Sequence, residues 1–411
     1  MNRKLVGLAG AVITALLASA TVAVAPANAA NGCESNNTDV LIWTDLDRAQ
    51  AYKAWALVFN RKSTSICVTV IGKDGGKDKL ATVADIDAPD LFLSAHDQIG
   101  SLQSTGTIQS FTITNKSEFD ARDKQACTLQ GGGTYCLPMT VENIALFRNV
   151  KFVPKAPATM TAMLADSAKF IKGHKTAKYT LGVSPGDAYH MYPLFSGLGG
   201  YVFGGKAGAW KPTDIGVANA KFIKNAPQID TWYSKKLINA NVTGAQSESD
   251  FIAGKIPYLI TGPWNLDKLR LANVNYAISA FPTIVPGIKS VPFYGVQGMM
   301  LTKWASPAKH DNKTAALTVL TGINGLARKD AQLLLSNSLI RTPANMKARA
   351  SFRDEDSSAF LAAGIGGIPM PSIPQMGLFW SDVATAWKPT VAKPKAVARF
   401  KTASAAMKSG H

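Results

Sequence analysis

Apolar and polar positions first divide the chain into short apolar runs separated by amphipathic stretches. "DVLIWTD" (Asp39 to Asp45), "ICVTVIG" (Ile66 to Gly72) and "DLFLSA" (Asp90 to Ala95) have the length and β-branched content of buried strands. Between the first two, Ala51, Trp55, Val58 and Phe59 recur at helical spacing, and Thr44 and Asp47 stand at capping-box spacing before them. Strand, helix, strand and strand at this spacing predict a parallel sheet in an α/β domain. The pattern returns in "YTLGVS" (Tyr179 to Ser184), "YLIT" before Gly262-Pro263-Trp264, and "NYAISAFP" (Asn275 to Pro282). Toward the end, Lys313 to Leu320 and Lys395 to Met407 read as helices. Ligands of open α/β sheets bind beyond the carboxyl ends of the strands. Attention therefore falls on Asp45 to Arg48, on His96-Asp97-Gln98 and on Trp264.

The first 29 residues have a different pattern. Arg3 and Lys4 precede an apolar, small-residue stretch from Val6 to Ala25, and Ala27-Asn28-Ala29 forms a small-x-small cleavage signal. This is the pattern of an export signal, residues 1–29, and the cleavage signal favours removal over a retained membrane anchor. Cys33 follows, but Ala30 stands where a lipid-attachment site carries Leu or a similar residue, which disfavours lipid anchoring. An exported chain with four cysteines points to disulfides among Cys33, Cys67, Cys127 and Cys136. Of the three pairings, Cys33–Cys67 with Cys127–Cys136 is expected. The second pair flanks "TLQGGGTY", a turn rich in glycine, and the first pair lies at the starts of adjacent predicted strands.

Composition adds less. At 46% hydrophobic and 17% charged, the chain can bury a large core, and 411 residues suffice for two domains. The net charge of +17 falls by two, to +15, once Arg3 and Lys4 are removed. The cations are scattered and no nucleic-acid motif is present, so the charge reads as a solvated surface rather than a nucleic-acid interface. "GYVFGGKA" (Gly200 to Ala207) approaches a phosphate-binding loop but has Ala207 where a magnesium-holding hydroxyl belongs. The five histidines form no ligand pair, the cysteine spacings fit no zinc pattern, and no nucleophile elbow occurs. No metal and no cofactor is expected. Among the acids, Asp45, Asp47, Glu142 and Asp187 include candidates for a glycosidase pair, against the plainer reading that they accept hydrogen bonds from hydroxyl groups.

Several segments together resemble the maltose/maltodextrin-binding proteins of ABC importers. "YLITGPWN", "MPSIPQMGLFW" (Met370 to Trp380) and "PDLFLSAHDQIG" (Pro89 to Gly100) carry the likeness. "VLIWTDLDRAQAY", "CLPMTVENIALF", "AYHMYPLFSGLGGYVF" and "VNYAISAFPT" fall in the matching order. The resemblance implies an α/β periplasmic-binding-protein fold of two lobes, each a mostly parallel sheet flanked by helices, with a ligand cleft between them. It places residues 36–140 and 297–342 in the N-terminal lobe and 141–296 and 343–411 in the C-terminal lobe. It implies a non-enzymatic, exported protein of the periplasm or cell envelope, a monomer that binds an oligosaccharide and delivers it to a membrane permease.

By the same likeness, Asp47, Arg48 and Asp97 hold sugar hydroxyls from the first lobe, and Glu142 is an acid at the hinge side of the cleft. Asp187 and Tyr189 form an acid–aromatic pair in the second, Trp264 and Trp380 stack on sugar rings, and Met370 lies beside them. Independent chemistry agrees, because a pyranose offers an apolar C–H face to aromatic rings and hydroxyl edges to planar polar groups. Three positions depart from the family pattern: Ser94 for a Trp, Gln98 for an Arg and Ala384 for an Arg. These departures put maltose itself in doubt and leave oligosaccharides as the expected class. A secreted glycoside hydrolase and a binding protein for a cationic solute remain the alternatives. Hinges are expected near Met139 to Val141 and Tyr294 to Gly298, with Gly295 and Gly298 absorbing rotation.

Overall fold

The computed structural model describes Cys33, residues 37–305 and residues 312–410. The export signal with its cleavage site, and Ala30, lie outside the described residues.

The chain begins as its pattern predicts. β1 (Thr38–Thr44) pairs in parallel with β2 (Ile66–Gly72) and β3 (Leu91–Ala95), and the helix Leu46–Asn60 is the first crossover. Ala51, Trp55 and Phe59 of that helix are buried against the sheet. Val58 is an exception: it is 40% exposed, and Tyr52, three residues before Trp55, takes the fourth core position. The expected capping box is also not formed. The helix starts at Leu46 after an extended Asp45 that makes no side-chain cap, and the Thr44 hydroxyl donates to the Asp45 carbonyl instead.

The first sheet continues through β4 (Ile108–Gln109) and β5 (Leu137–Glu142). The chain then builds a second sheet from β6 (Ala145–Asn149), β7 (Leu181–Gly182), β10 (Tyr258–Thr261) and β11 (Tyr276–Ser279), with β8 (Phe203–Lys206) and β9 (Ala209–Ile215) forming a separate hairpin. It returns along β12 (Phe293–Thr302) to the first sheet, which has the order β13-β5-β12-β3-β1-β2 with β13 at Thr342–Pro343. β14 (Ile368–Pro369) pairs with the first residues of β12.

The two-lobed α/β architecture follows the expectation, but the sheets are mixed rather than mostly parallel. β12 runs antiparallel to both β3 and β5, and β6 runs antiparallel to both β10 and β11. Both reversals come from strands that adjoin a passage between lobes. Such strands enter their sheet from the far end, and a pattern of buried positions does not encode direction.

The cores mark these passages. One core draws on residues from Val40 to Val141 and from Tyr294 to Ala344. Two others draw on Ile144 to Phe293 and Phe360 to Met407. Phe293 and Tyr294 are neighbours in sequence but pack into different cores.

Both disulfides form with the expected partners, Cys33–Cys67 and Cys127–Cys136. Gly131, Gly132 and Gly133, between the latter pair, all have positive φ, which is why three glycines occur in that turn. At Gly298 there is a reason for glycine besides the expected rotation. It lies inside β12, bonded to strands on both sides, and a Cβ there would stand 2.2 Å from the Cys136 sulfur. A side chain at this position has no room. Among the described residues no helix is long and apolar enough to cross a membrane.

Candidate functional site

All nine residues singled out in the sequence line one cavity of about 700 Å³ between the lobes. Asp47, Arg48, Asp97 and Glu142 come from the first-lobe side. Asp187, Tyr189, Trp264, Met370 and Trp380 come from the second. Gln98, Lys268, Gly295 and Gln297 complete most of the wall.

The first-lobe polar groups form a network around Arg48. This buried guanidinium sits in the first turn of the helix Leu46–Asn60. Its Nη2 donates to both Glu142 oxygens at 2.9 Å, and its Nη1 faces Asp45 and Asp47. Glu142 also accepts from the Thr140 hydroxyl at 2.9 Å and lies 3.6 Å from Arg341. Burial pushes the Glu142 carboxyl up, but the Arg48 and Arg341 charges outweigh it and hold it below the ordinary carboxylate range. The same opposition, burial against Arg48 and Arg341, leaves the more exposed Asp47 lowered.

Asp97 is placed by the carboxyl end of β3. Burial pushes its carboxyl up to about 6, against hydrogen bonds from Trp380 and Gln98. Its neighbour His96 is fully buried, and its Nδ1 accepts from the Val296 N–H at 3.1 Å. The other ring nitrogen, Nε2, then carries the proton and donates to the Met370 carbonyl at 3.0 Å. This neutral tautomer agrees with burial lowering His96 to about 4. Met370 therefore serves the cleft in two ways: its side chain lines the wall and its carbonyl ties the second lobe to β3.

On the second lobe, Asp187 is the N-cap of the helix Ala188–Gly197. One oxygen accepts from the N–H groups of Tyr189 and His190, and the other bonds His190 Nδ1 at 2.6 Å. Burial raises this carboxyl, but the His190 and backbone bonds outweigh it and the group stays below its usual range. Asp187 reaches the cavity wall with both oxygens already engaged by its own helix.

Tyr189 is the hub of the aromatic surface. Its ring centroid lies 6.4 Å from those of Trp264 and Trp380, and it stacks at 6.1 Å on Phe293. Trp264 and Trp380 are half-buried, packed at the margin of the second core rather than within it. β10 ends at Thr261, Gly262 leads into one short turn, Pro263–Asn265, and the indole of Trp264 folds back over Gly262.

Reasoning from sequence missed Arg341, Thr140, His190 and the bonding of His96. Only Arg341 left a usable signal, as a lone guanidinium in the apolar run Leu339-Ile340-Arg341-Thr342-Pro343. The departures lie partly aside from the main cavity. Ser94 lines a neighbouring space of about 380 Å³, which Gln98 and Gln297 share with it, and Ala384 packs against the second core.

Two α/β lobes joined by repeated crossings, facing each other over rings and carboxylates, define a cleft-type binding protein. The chain belongs to the bacterial extracellular solute-binding proteins, a family that it matches over residues 54–363. It is 28% identical to a maltooligosaccharide ABC transporter solute-binding lipoprotein of Streptococcus pneumoniae, over 78% of this chain and 76% of the relative. It is 27% identical to a galactooligosaccharide-binding protein of Bacillus subtilis, over 88% and 86% respectively. A maltodextrin-binding protein of Bacillus subtilis is also 27% identical, over 72% and 70%.

Proposed function

We propose that this extracellular protein captures an oligosaccharide between its lobes and presents it to the membrane permease of an ABC importer, acting as a monomer and without catalysis. The observation that carries the reading is the joint placement of Tyr189, Trp264 and Trp380 with Asp47, Arg48, Asp97 and Glu142 on one interlobe cavity. Half-buried rings cover apolar sugar faces, and charged planar groups satisfy hydroxyls. The relatives that bind maltooligosaccharide, galactooligosaccharide and maltodextrin support the substrate class without selecting among its members. In this reading the lobes divide near Val141, at Phe293–Tyr294 and after Ala344, and closure on the sugar turns about those crossings.

The carboxylates favour binding over hydrolysis. A glycosidase needs one carboxyl as acid and a second as nucleophile or base. Glu142 is bound to Arg48 and Thr140, Asp187 caps a helix, and Asp97 accepts from Trp380 and Gln98. The two guanidiniums beside Asp47 and Glu142 also offset the negative charge that a cationic solute would require.

The test is titration calorimetry of the mature protein with maltotriose and with a galactose-containing trisaccharide, alongside a reducing-end assay on dextrins. Saturable binding of either sugar without new reducing ends supports the proposal. Absence of binding to both, or release of reducing ends, overturns it.

A further inference from the structure

The geometry points to Arg341 as a positioning residue that fixes the Trp264 platform to the acid cluster of the opposite lobe. The inference rests on the proposed sugar site and assigns a residue behind its wall.

Arg341 precedes β13, on the first-lobe side, and is buried. One guanidinium nitrogen, Nη1, donates to the Pro263 carbonyl at 2.9 Å and to the Leu339 carbonyl at 2.6 Å. Pro263 immediately precedes Trp264 and belongs to the turn that presents the indole. The other side of the same plane faces the acids, with Nε 3.6 Å from Glu142 and Nη2 3.7 Å from Asp47. A single rigid fork thus joins the backbone under an aromatic platform in one lobe to two carboxylates in the other. Nε makes no hydrogen bond, so at this nitrogen the attraction to Glu142 is electrostatic alone.

The backbone is held so that this happens. Ile340 has φ 52° and ψ 53°, a left-handed conformation that is strained for a β-branched residue. The Arg341 N–H closes that turn on the Ser336 carbonyl, and the guanidinium then folds back on the Leu339 and Ile340 carbonyls. Strain of this kind persists where surrounding contacts over-determine it, and here those contacts are made by the arginine. Lysine cannot replace it, because a point-like ammonium cannot bond a carbonyl and face two carboxylates in one plane.

Ligand affinity depends on how well the free site is already arranged. Loss of Arg341 releases the Pro263–Trp264 turn from Asp47 and Glu142, and the platform and the acids no longer meet the sugar together.

The experiment uses the mature chain with 5-fluorotryptophan, the Trp264 resonance being assigned by its disappearance in Trp264→Phe. In Arg341→Lys and Arg341→Met, the ligand-free Trp264 resonance is expected to shift or broaden while those of Trp43 and Trp387, buried elsewhere, stay fixed. Affinity for maltotriose should fall about tenfold or more. In a double-mutant cycle with Trp264→Ala the losses should not add, because both act through one platform. An unmoved Trp264 resonance overturns the inference whether or not maltotriose binds. Additive losses overturn it too. If the wild-type protein binds no sugar but the resonance still moves, the coupling stands and the sugar reading alone fails.

Discussion

The Trp380 indole N–H donates to the Asp97 carboxylate at 3.0 Å, so a ring expected only to stack also bonds the opposite lobe directly. Phenylalanine at this position keeps an aromatic face and removes the donor. Trp380→Phe should lower stability at pH 7 by about 1–2 kcal/mol, because a buried acceptor loses one of its bonds. The bond spans the cleft, so the ligand-free variant should also show a larger radius of gyration by solution scattering. Unchanged stability together with an unchanged radius would mean that the contact does not hold the lobes.

Asp97 and its neighbour His96 give opposite pH dependences. The Asp97 carboxyl stands at about 6 in the folded chain against an ordinary 3.8, so its contribution to stability is full below 3.8 and is lost as pH rises through 6. His96 stands at about 4 against an ordinary 6.5, so its contribution is present above 6.5 and is lost as pH falls toward 4. In the wild type the two slopes largely offset each other. Asp97→Asn removes the first. It should gain on the order of 1–3 kcal/mol at pH 8, gain nothing near pH 3.5, and expose a loss of stability between pH 6.5 and pH 4 due to His96. Urea unfolding at several pH values measures this, and a difference from wild type that is constant with pH would contradict it.

Gly298→Ala tests the clearance at this glycine. Its new methyl would stand 2.2 Å from the Cys136 sulfur and 2.6 Å from the Cys136 Cβ, inside the first core where the disulfide cannot swing away. The cost should be about 1–3 kcal/mol by overpacking, with sugar affinity little changed. A variant that closes poorly around ligand but unfolds normally would make rotation, not clearance, the reason for Gly298.

The site was more legible in the sequence than its wiring. Trp264 and Asp97 follow strand ends and Trp380 lies in the helical stretch from Met376 to Ala386; short motifs carry most of the signal for all three, and all reach the same cavity. The partners of Glu142 were not legible, because Arg48 lies 94 residues from it and nothing local marks such a contact. The N-cap role of Asp187 is local, and its spacing before Tyr189 and His190 could have been read as a helix start. Strand direction was illegible for another reason. β12 is buried along almost its whole length, a run that reads the same whichever way it points, and only the returning crossing sets its sense. Val58 was misplaced because it lies at the edge of its helix's apolar stripe, where spacing alone does not separate core from rim.

The last prediction separates ligand platform from core at Trp264. Gly262 has φ −106° and ψ −177°, which alanine adopts without strain, yet its Cβ would stand 2.1 Å from the indole ring. The obstructed atoms belong to a half-buried side chain at the cavity edge, so the ring can swing into the cleft rather than strain the core. Gly262→Ala should therefore leave stability within about 1 kcal/mol of wild type and weaken binding. Trp264→Ala should also spare most of the stability while costing on the order of 1–3 kcal/mol in affinity, the apolar area no longer covered by stacking. A ring that was part of the core would behave in the opposite way, with truncation costing about 3–5 kcal/mol of stability. Calorimetry with a bound sugar and urea unfolding of both variants give the two numbers. If both variants bind normally and unfold easily, Trp264 is a packing residue and the platform assigned to it does not exist.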